Sequence, residues 1–228
     1  MDKAQFNVRE GRVEIDVAHE KDKLTYIHPA FGSNNYENLR KQITEDGLKP
    51  FNMKDASLIV YSAFENPEQK YADEPKDIMR KSYFYVFNRN LWTPKGVYVA
   101  DDNGKESLTL EQGKLEKQLA TEENHISYSK DKKIRFVPKE HIELGEQTSL
   151  DLAKNKYVIA LAGEEGAERL ARVSEKYSRK PYVFGLENVS EPVQRVSGLG
   201  SLWDLDGRLG VDGGYSDGRN GRAFGVKK

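Results

Sequence analysis

The segment from Arg195 to Val226 constrains this chain more than any other part of it. It holds nine of the chain's 19 glycines, and its charged residues are all Asp or Arg. Lys, Glu, Gln and Met are missing from it altogether, although they recur throughout residues 1–190. Such a stretch reads as a loop-dense surface suited to binding rather than to catalysis. Turn chemistry enriches Gly, Asp, Ser and Asn. It does not exclude Lys and Glu, so that exclusion requires a separate cause.

The rest of the chain has the means to carry such a surface. Of its 228 residues, 37% are hydrophobic and 10% aromatic, enough to bury a core. The 36 basic side chains nearly balance the 37 acidic ones, which argues against a general electrostatic grip on nucleic acid or on an anionic membrane. With no cysteine, disulfides, thiolate metal sites and cysteine nucleophiles are excluded, and a reducing compartment fits. The opening residues are charged, without the apolar core of a secretory signal. No stretch approaches the ~20 apolar residues of a membrane span. A cytoplasmic or virion-associated protein without membrane insertion is expected.

Hydrophobic periodicity and turn residues predict an α+β fold. Phe6 to Val8 and Val13 to Val17 flank Gly11 as an opening hairpin. Tyr26 to Asn34, with His28, Pro29 and Gly32, reads as a loop. Asn34 or Asn35 caps a helix through Tyr36, Leu39 and Ile43 that Gly47 ends. Helices are expected from about Asp55 and near Pro75 to Ser82. Tyr83 to Val86 and Gly96 to Ala100 read as strands, with Asn88 to Pro94 turning between them. Leu108 to Leu119 reads as a helix followed by a polar loop, Ile134 to Val137 as a strand and Ser149 to Lys154 as a helix. Tyr157 to Ala162 reads as an apolar strand, Glu164 to Tyr177 as a helix and Tyr182 to Leu186 as a strand. A single domain over 1–228 is expected; if it divides, the polar stretch from Asp101 to Ser107 is where parts 1–100 and 101–228 would meet.

The run Arg195-Val196-Ser197-Gly198-Leu199-Gly200-Ser201-Leu202-Trp203, then Arg208-Leu209, then Asp217 to Val226, resembles the C-terminal segment of formylglycine-generating-enzyme-like C-type lectin folds. The resemblance covers residues 195–226 only. It implies a lectin-like C-terminal region of short antiparallel strands and long loops, closing with a strand over Ala223 to Val226. The catalytic branch of that superfamily holds copper with cysteines, which this chain lacks. The other branch comprises the variable proteins of diversity-generating retroelements, in which a reverse transcriptase alters adenines in a C-terminal cassette. Changing only adenines in asparagine codons that end in C or T never yields Lys, Glu, Gln, Met or Trp. That supplies a cause for the missing residue types.

The resemblance implies that Arg195, Val196, Trp203, Leu209, Val211, Phe224 and Val226 are scaffold. It makes Gly200, Leu202, Asp204, Leu205, Asp206, Asp212, Tyr215, Ser216, Asp217, Arg219 and Asn220 the variable, ligand-binding positions. Tyr215 and Arg219 would be the strongest contacts, since Tyr and Arg dominate interface hot spots. The ligand would be a protein or glycan, with no cofactor, metal or nucleic acid. Two other readings stay open: an enzyme using Asp204, Asp206, Arg208 and Asp217, and a structural virion protein. Asp204-x-Asp206-Gly207 fails as a calcium loop, because Leu209 and Tyr215 occupy its sixth and twelfth positions. Gly198-Leu199-Gly200 lacks the third glycine and the βαβ context of a dinucleotide site. His19, His28, His125 and His141 lack metal-ligand spacing and read as solvated loop residues.

Overall fold

The computed structural model describes residues 6–9, 12–102, 104, 109–201 and 207–227. Strands β1 (Phe6–Arg9) and β2 (Arg12–His19) form the expected hairpin, Val8 opposite Val13. The segment expected to be a loop instead supplies β3 (Asp22–His28) and β4 (Phe31–Asn34). Tyr26, Ile27 and Phe31 bury their side chains, and backbone carried inside with them must find ladder partners. Pro29 marks only the corner, and Gly32 lies within β4 opposite Arg222.

Asn35 caps α1 (Tyr36–Glu45) by accepting from the Asn38 N–H, and Leu39 and Ile43 face the core. After β5 (Lys49–Pro50), Asn52 and Asp55 form a capping box that starts α2 (Met53–Glu65) ahead of its expected position. Helix α3 (Asp73–Lys81) has Asp73 and Glu74 in its first turn and Arg80 and Lys81 in its last, in accord with its dipole.

Strand β6 (Tyr83–Thr93) continues through Asn88, Arg89 and Asn90, where a turn was expected, and reverses only at Pro94–Lys95 into β7 (Gly96–Asp101). Its polar residues stay in the strand because each finds a buried partner. Asn88 accepts from the Met53 N–H at 2.6 Å and donates to Asp101 at 2.7 Å. Asn90 donates to the Ser197 hydroxyl at 2.7 Å and accepts from the Tyr157 hydroxyl at 2.9 Å.

The expected helix ahead of Leu119 shrinks to α4 (Gln112–Glu116), Leu108 lying outside the described residues. The polar loop after it is a solvent-facing edge hairpin, β8 (Leu119–Glu123) with β9 (Ile126–Ser129). Its charged side chains protect the edge from further pairing. Strands β10 (Ile134–Pro138) and β11 (Gly145–Glu146) and helix α5 (Ser149–Lys154), boxed by Thr148 and Asp151, follow.

Tyr157 to Ala162, expected as a strand, begins α6 (Lys156–Ser174). Asn155 nucleates it by accepting from the Tyr157 and Val158 N–H groups. Tyr157, Val158, Ala160, Leu161 and Ala162 are all buried. A helix turn enclosed this way shows no polar stripe, and its sequence is indistinguishable from a buried strand. Gly163, at φ 74 and ψ 167, breaks the helix before Glu164 resumes it. It ends at Ser174, short of Tyr177.

Strands β12 (Tyr182–Phe184), β13 (Val193–Gly200), β14 (Gly210–Tyr215), β15 (Gly221–Ala223) and β16 (Gly225–Val226) complete the chain. Arg208 and Leu209 precede β14. The closing strand divides in two around fully buried Phe224.

The fold is mixed α+β. One sheet has the order β1-β2-β3-β16-β5. The other runs β11-β12-β14-β13-β6-β7-β10-β9-β8, with β15 joined to β6 and β4 to β15. Residues 193–200 therefore sit mid-sheet, and one buried cluster draws on Ile15, Leu39, Phe51, Tyr157, Val211 and Phe224. Among the described residues, no helix is long and apolar enough to cross a membrane.

A Cβ added at Gly163 meets nothing within 4 Å, so Gly163→Ala isolates the backbone term. It is expected to cost about 2 kcal/mol, read as a lower urea midpoint at constant slope. An unchanged midpoint would mean that glycine's conformational range is not what permits the break.

Candidate functional site

The site grows from the way rings rest on bare backbone in the larger sheet. A side chain at Gly198 would overlap the Tyr83 ring, one at Gly213 the Tyr157 hydroxyl, and one at Gly221 the Tyr85 ring. These glycines let three tyrosines lie against strands. Tyr36 meets Tyr85 edge-on at 5.9 Å, Tyr83 meets Tyr85 at 5.1 Å, and Tyr215 stacks on Tyr83 at 4.1 Å and 17°. Trp92 donates its indole N–H to the Gly213 carbonyl at 2.8 Å, holding β14 from its other side.

Residues 216–220 cross from β14 to β15 above these rings, and the framework holds their backbone at several points. Asp217, at φ 78, accepts from the Tyr36 N–H at 2.9 Å and the Tyr85 hydroxyl at 2.8 Å on one carboxylate oxygen. The Gly218 N–H donates back to the Tyr85 oxygen at 2.6 Å, and Ser33 donates to the Arg219 carbonyl at 3.4 Å. Ser216, Arg219 and Asn220 are exposed.

Beside this loop lies a cleft of about 180 Å³. Tyr215, Ser216 and Asp217 line one side, Arg89, Gln194 and Arg195 another, and Tyr36 and Glu37 close it at the start of α1. Arg89 is buried with its Nε 3.5 Å from Asp102, whose other oxygen receives Arg40 at 2.9 Å. Arg195 donates to the Gln194 carbonyl at 2.8 Å.

Burial raises the Tyr83 and Tyr215 hydroxyls above the ordinary tyrosine range, with the Asp212 carboxylate adding to both. Tyr85 is also raised by burial, against a lowering bond from Gly218. These phenols are neutral hydrogen-bonding groups at physiological pH. Burial likewise raises the Asp212 carboxyl, opposed by the Gly214 N–H at 2.7 Å and by Tyr83.

The positions expected to bind a ligand thus separate. Tyr215, Ser216 and Asp217 meet at the cleft, with Arg219 and Asn220 exposed alongside. Asp217 serves the framework as a cap and tether. Gly200 is buried in β13 opposite Gly210, and Asp212 faces Tyr83, so neither joins that surface. Leu202, Asp204, Leu205 and Asp206 lie outside the described residues, as does Trp203. Val196, Leu209, Val211, Phe224 and Val226 are buried, as ordinary core residues also are, whereas Arg195 is half-buried and lines the cleft.

Of the residues considered for catalysis, Arg208 pairs with Glu146 at 3.0 Å and Asp217 caps α1. They lie beyond opposite ends of the six-residue β14, separated by roughly 17 Å of strand, and do not converge. His28 is not a solvated loop residue: it ends β3, with Nδ1 2.5 Å from Glu74. His19 ends β2 near Arg169, and the His125 and His141 rings stack at 4.1 Å. Tyr36, Tyr85 and Arg89 escaped sequence reasoning, because no local signal links Tyr36 to Asp217, 181 positions away. The alternation Tyr83-x-Tyr85 ahead of the glycine-rich segment was the one available hint.

Comparison with protein-family models, curated proteins and solved structures yields no match to this chain.

Two outcomes follow from the geometry. The unfolded chain ionises Asp212 in the ordinary range, while the folded protein holds its proton to higher pH. Stability from this group is therefore full in acid and lost as pH rises through its folded-state value. Asp212→Asn should melt above the parent at pH 7, and the difference should vanish below the ordinary aspartate range; a constant difference across pH would refute the assignment. Tyr215→Ala should cost about 2 kcal/mol through the lost stack on Tyr83, whereas Asn220→Ala should leave thermal stability unchanged.

Proposed function

We propose that this is a ligand-binding protein whose recognition surface is the 216–220 loop with the adjoining cleft. The observation that carries this reading is the division of labour within the loop. The Asp217 carboxylate ties it to α1 and its backbone is tied to β4 and β6, while Ser216, Arg219 and Asn220 turn to solvent. A surface built this way accepts new side chains at those three positions without reshaping the fold, since exposed substitutions away from caps and cores change stability little.

The C-terminal resemblance and the missing Lys, Glu, Gln and Met extend the proposal. The segment is a lectin-like cassette diversified by a retroelement, and the ligand is a protein or a glycan. Tyr215 contributes as a half-buried aromatic anchor, held rigid by Tyr83, and Arg219 as a hydrogen-bonding contact.

Sequencing the DNA around the gene tests the extension. The expected finding is an imperfect copy of the segment encoding Arg195 to Val226, differing at adenines, beside a reverse transcriptase gene. The binding surface is tested separately by a displayed library randomised at Ser216, Arg219 and Asn220. Folded members should bind selected targets; a library that folds but never yields a binder would count against the surface.

A further inference from the structure

The cleft beside the 216–220 loop is lined by charges of both signs that do not meet one another. Glu37, exposed in the first turn of α1, makes no hydrogen bond or ion pair among the described residues. Asp217 spends Oδ1 on the Tyr36 N–H and the Tyr85 hydroxyl, while its Oδ2 has no partner among those residues. Arg195 donates from Nη1 to the Gln194 carbonyl and makes no ion pair among them. Most of its five N–H donors are therefore unspent. The other guanidinium of the cleft, on Arg89, is buried against Asp102.

Opposite charges that share a cleft without closing on each other select what can enter it. An anion drawn to Arg195 meets Glu37 and Asp217, and a cation drawn to those carboxylates meets Arg195. A neutral ligand displaces water from all three charges and compensates none of them. A ligand carrying both charges sets each against its opposite. Size narrows the class further. At about 180 Å³ the cleft falls below the roughly 300–1,000 Å³ that drug-sized ligands fill, so its occupant is smaller than those. We infer that the cleft binds a free amino acid, its carboxylate on Arg195 and its ammonium on Glu37 and the open oxygen of Asp217. The guanidinium takes a carboxylate through two parallel bonds, and the half-buried Tyr215 ring gives the ligand's side chain an apolar wall. This rests on the cleft belonging to the recognition surface, and it adds a small ligand to the macromolecular one. Arg219 and Asn220 do not line the cleft and stay available to the larger partner.

The test titrates the full chain with each free amino acid in turn, following the melting temperature and then the heat of binding. At least one should raise the melting temperature by about 3 °C at tenfold its dissociation constant. Its N-acetyl and amide derivatives, each lacking one charge, should bind about tenfold more weakly or worse. Glu37→Gln and Arg195→Gln should each weaken binding about as much while melting as the parent does without ligand. Arg80→Gln, on α3, should bind as the parent does. Asp217 is left unchanged because it also tethers the loop. Absence of binding by any amino acid, equal binding of the blocked derivatives, full affinity in both cleft variants, or tighter binding of glucose would each overturn the inference. If amino acids fail while the loop library still yields binders, the cleft assignment falls and the recognition surface stands; if both fail, both fall.

Discussion

An aromatic ring can lie flat on a strand only where the strand has no side chain beneath it, and this constraint organises the part of the molecule around the 216–220 loop. Gly198, Gly213 and Gly221 leave bare backbone under Tyr83, Tyr157 and Tyr85. The rings then carry what lies above. Tyr83 supports Tyr215, and Tyr85 holds Asp217 and Gly218 through a single hydroxyl. Much of the glycine enrichment after residue 195 therefore has a packing cause. The absence of Lys and Glu does not, because exposed positions such as 216, 219 and 220 would accommodate either.

The second organising element is the polar run in the middle of β6. Asn88 ties α2 to β7, and Asn90 joins β13 to α6. Between them Arg89 reaches Asp102, which Arg40 of α1 also contacts. Hydrogen bonds at such depth are costly to leave half made, so they fix the spacing of α1 and β13 and hence the width of the cleft.

What could be read from the sequence followed local chemistry. Asn35 and Pro75 announce their helices through capping and first-turn rules that need only neighbouring residues. The first half of α6 stayed hidden because its residues are buried all round, leaving no periodicity to detect. The centre of β6 read as a turn because its partners lie 35, 67 and 107 positions away. The candidate site divides the same way. Its loop was legible as a composition break, while Tyr36, Tyr85 and Arg89 acquire their roles only through the fold.

Strand β16 contributes just Gly225 and Val226, yet it lies between β3 and β5 and, among the described residues, is the only strand joining them in the smaller sheet. During synthesis β3 and β5 emerge early and wait, their facing edges open, until residue 226 clears the ribosome. The loop at 216–220 is made just before that strand. A loop sequence that cannot settle onto Tyr85 and α1 would hold β16 away from its slot and leave two unpaired edges exposed to proteases and chaperones. A misfit in the loop would thus be felt in the smaller sheet, as open edges on β3 and β5 rather than as a local change.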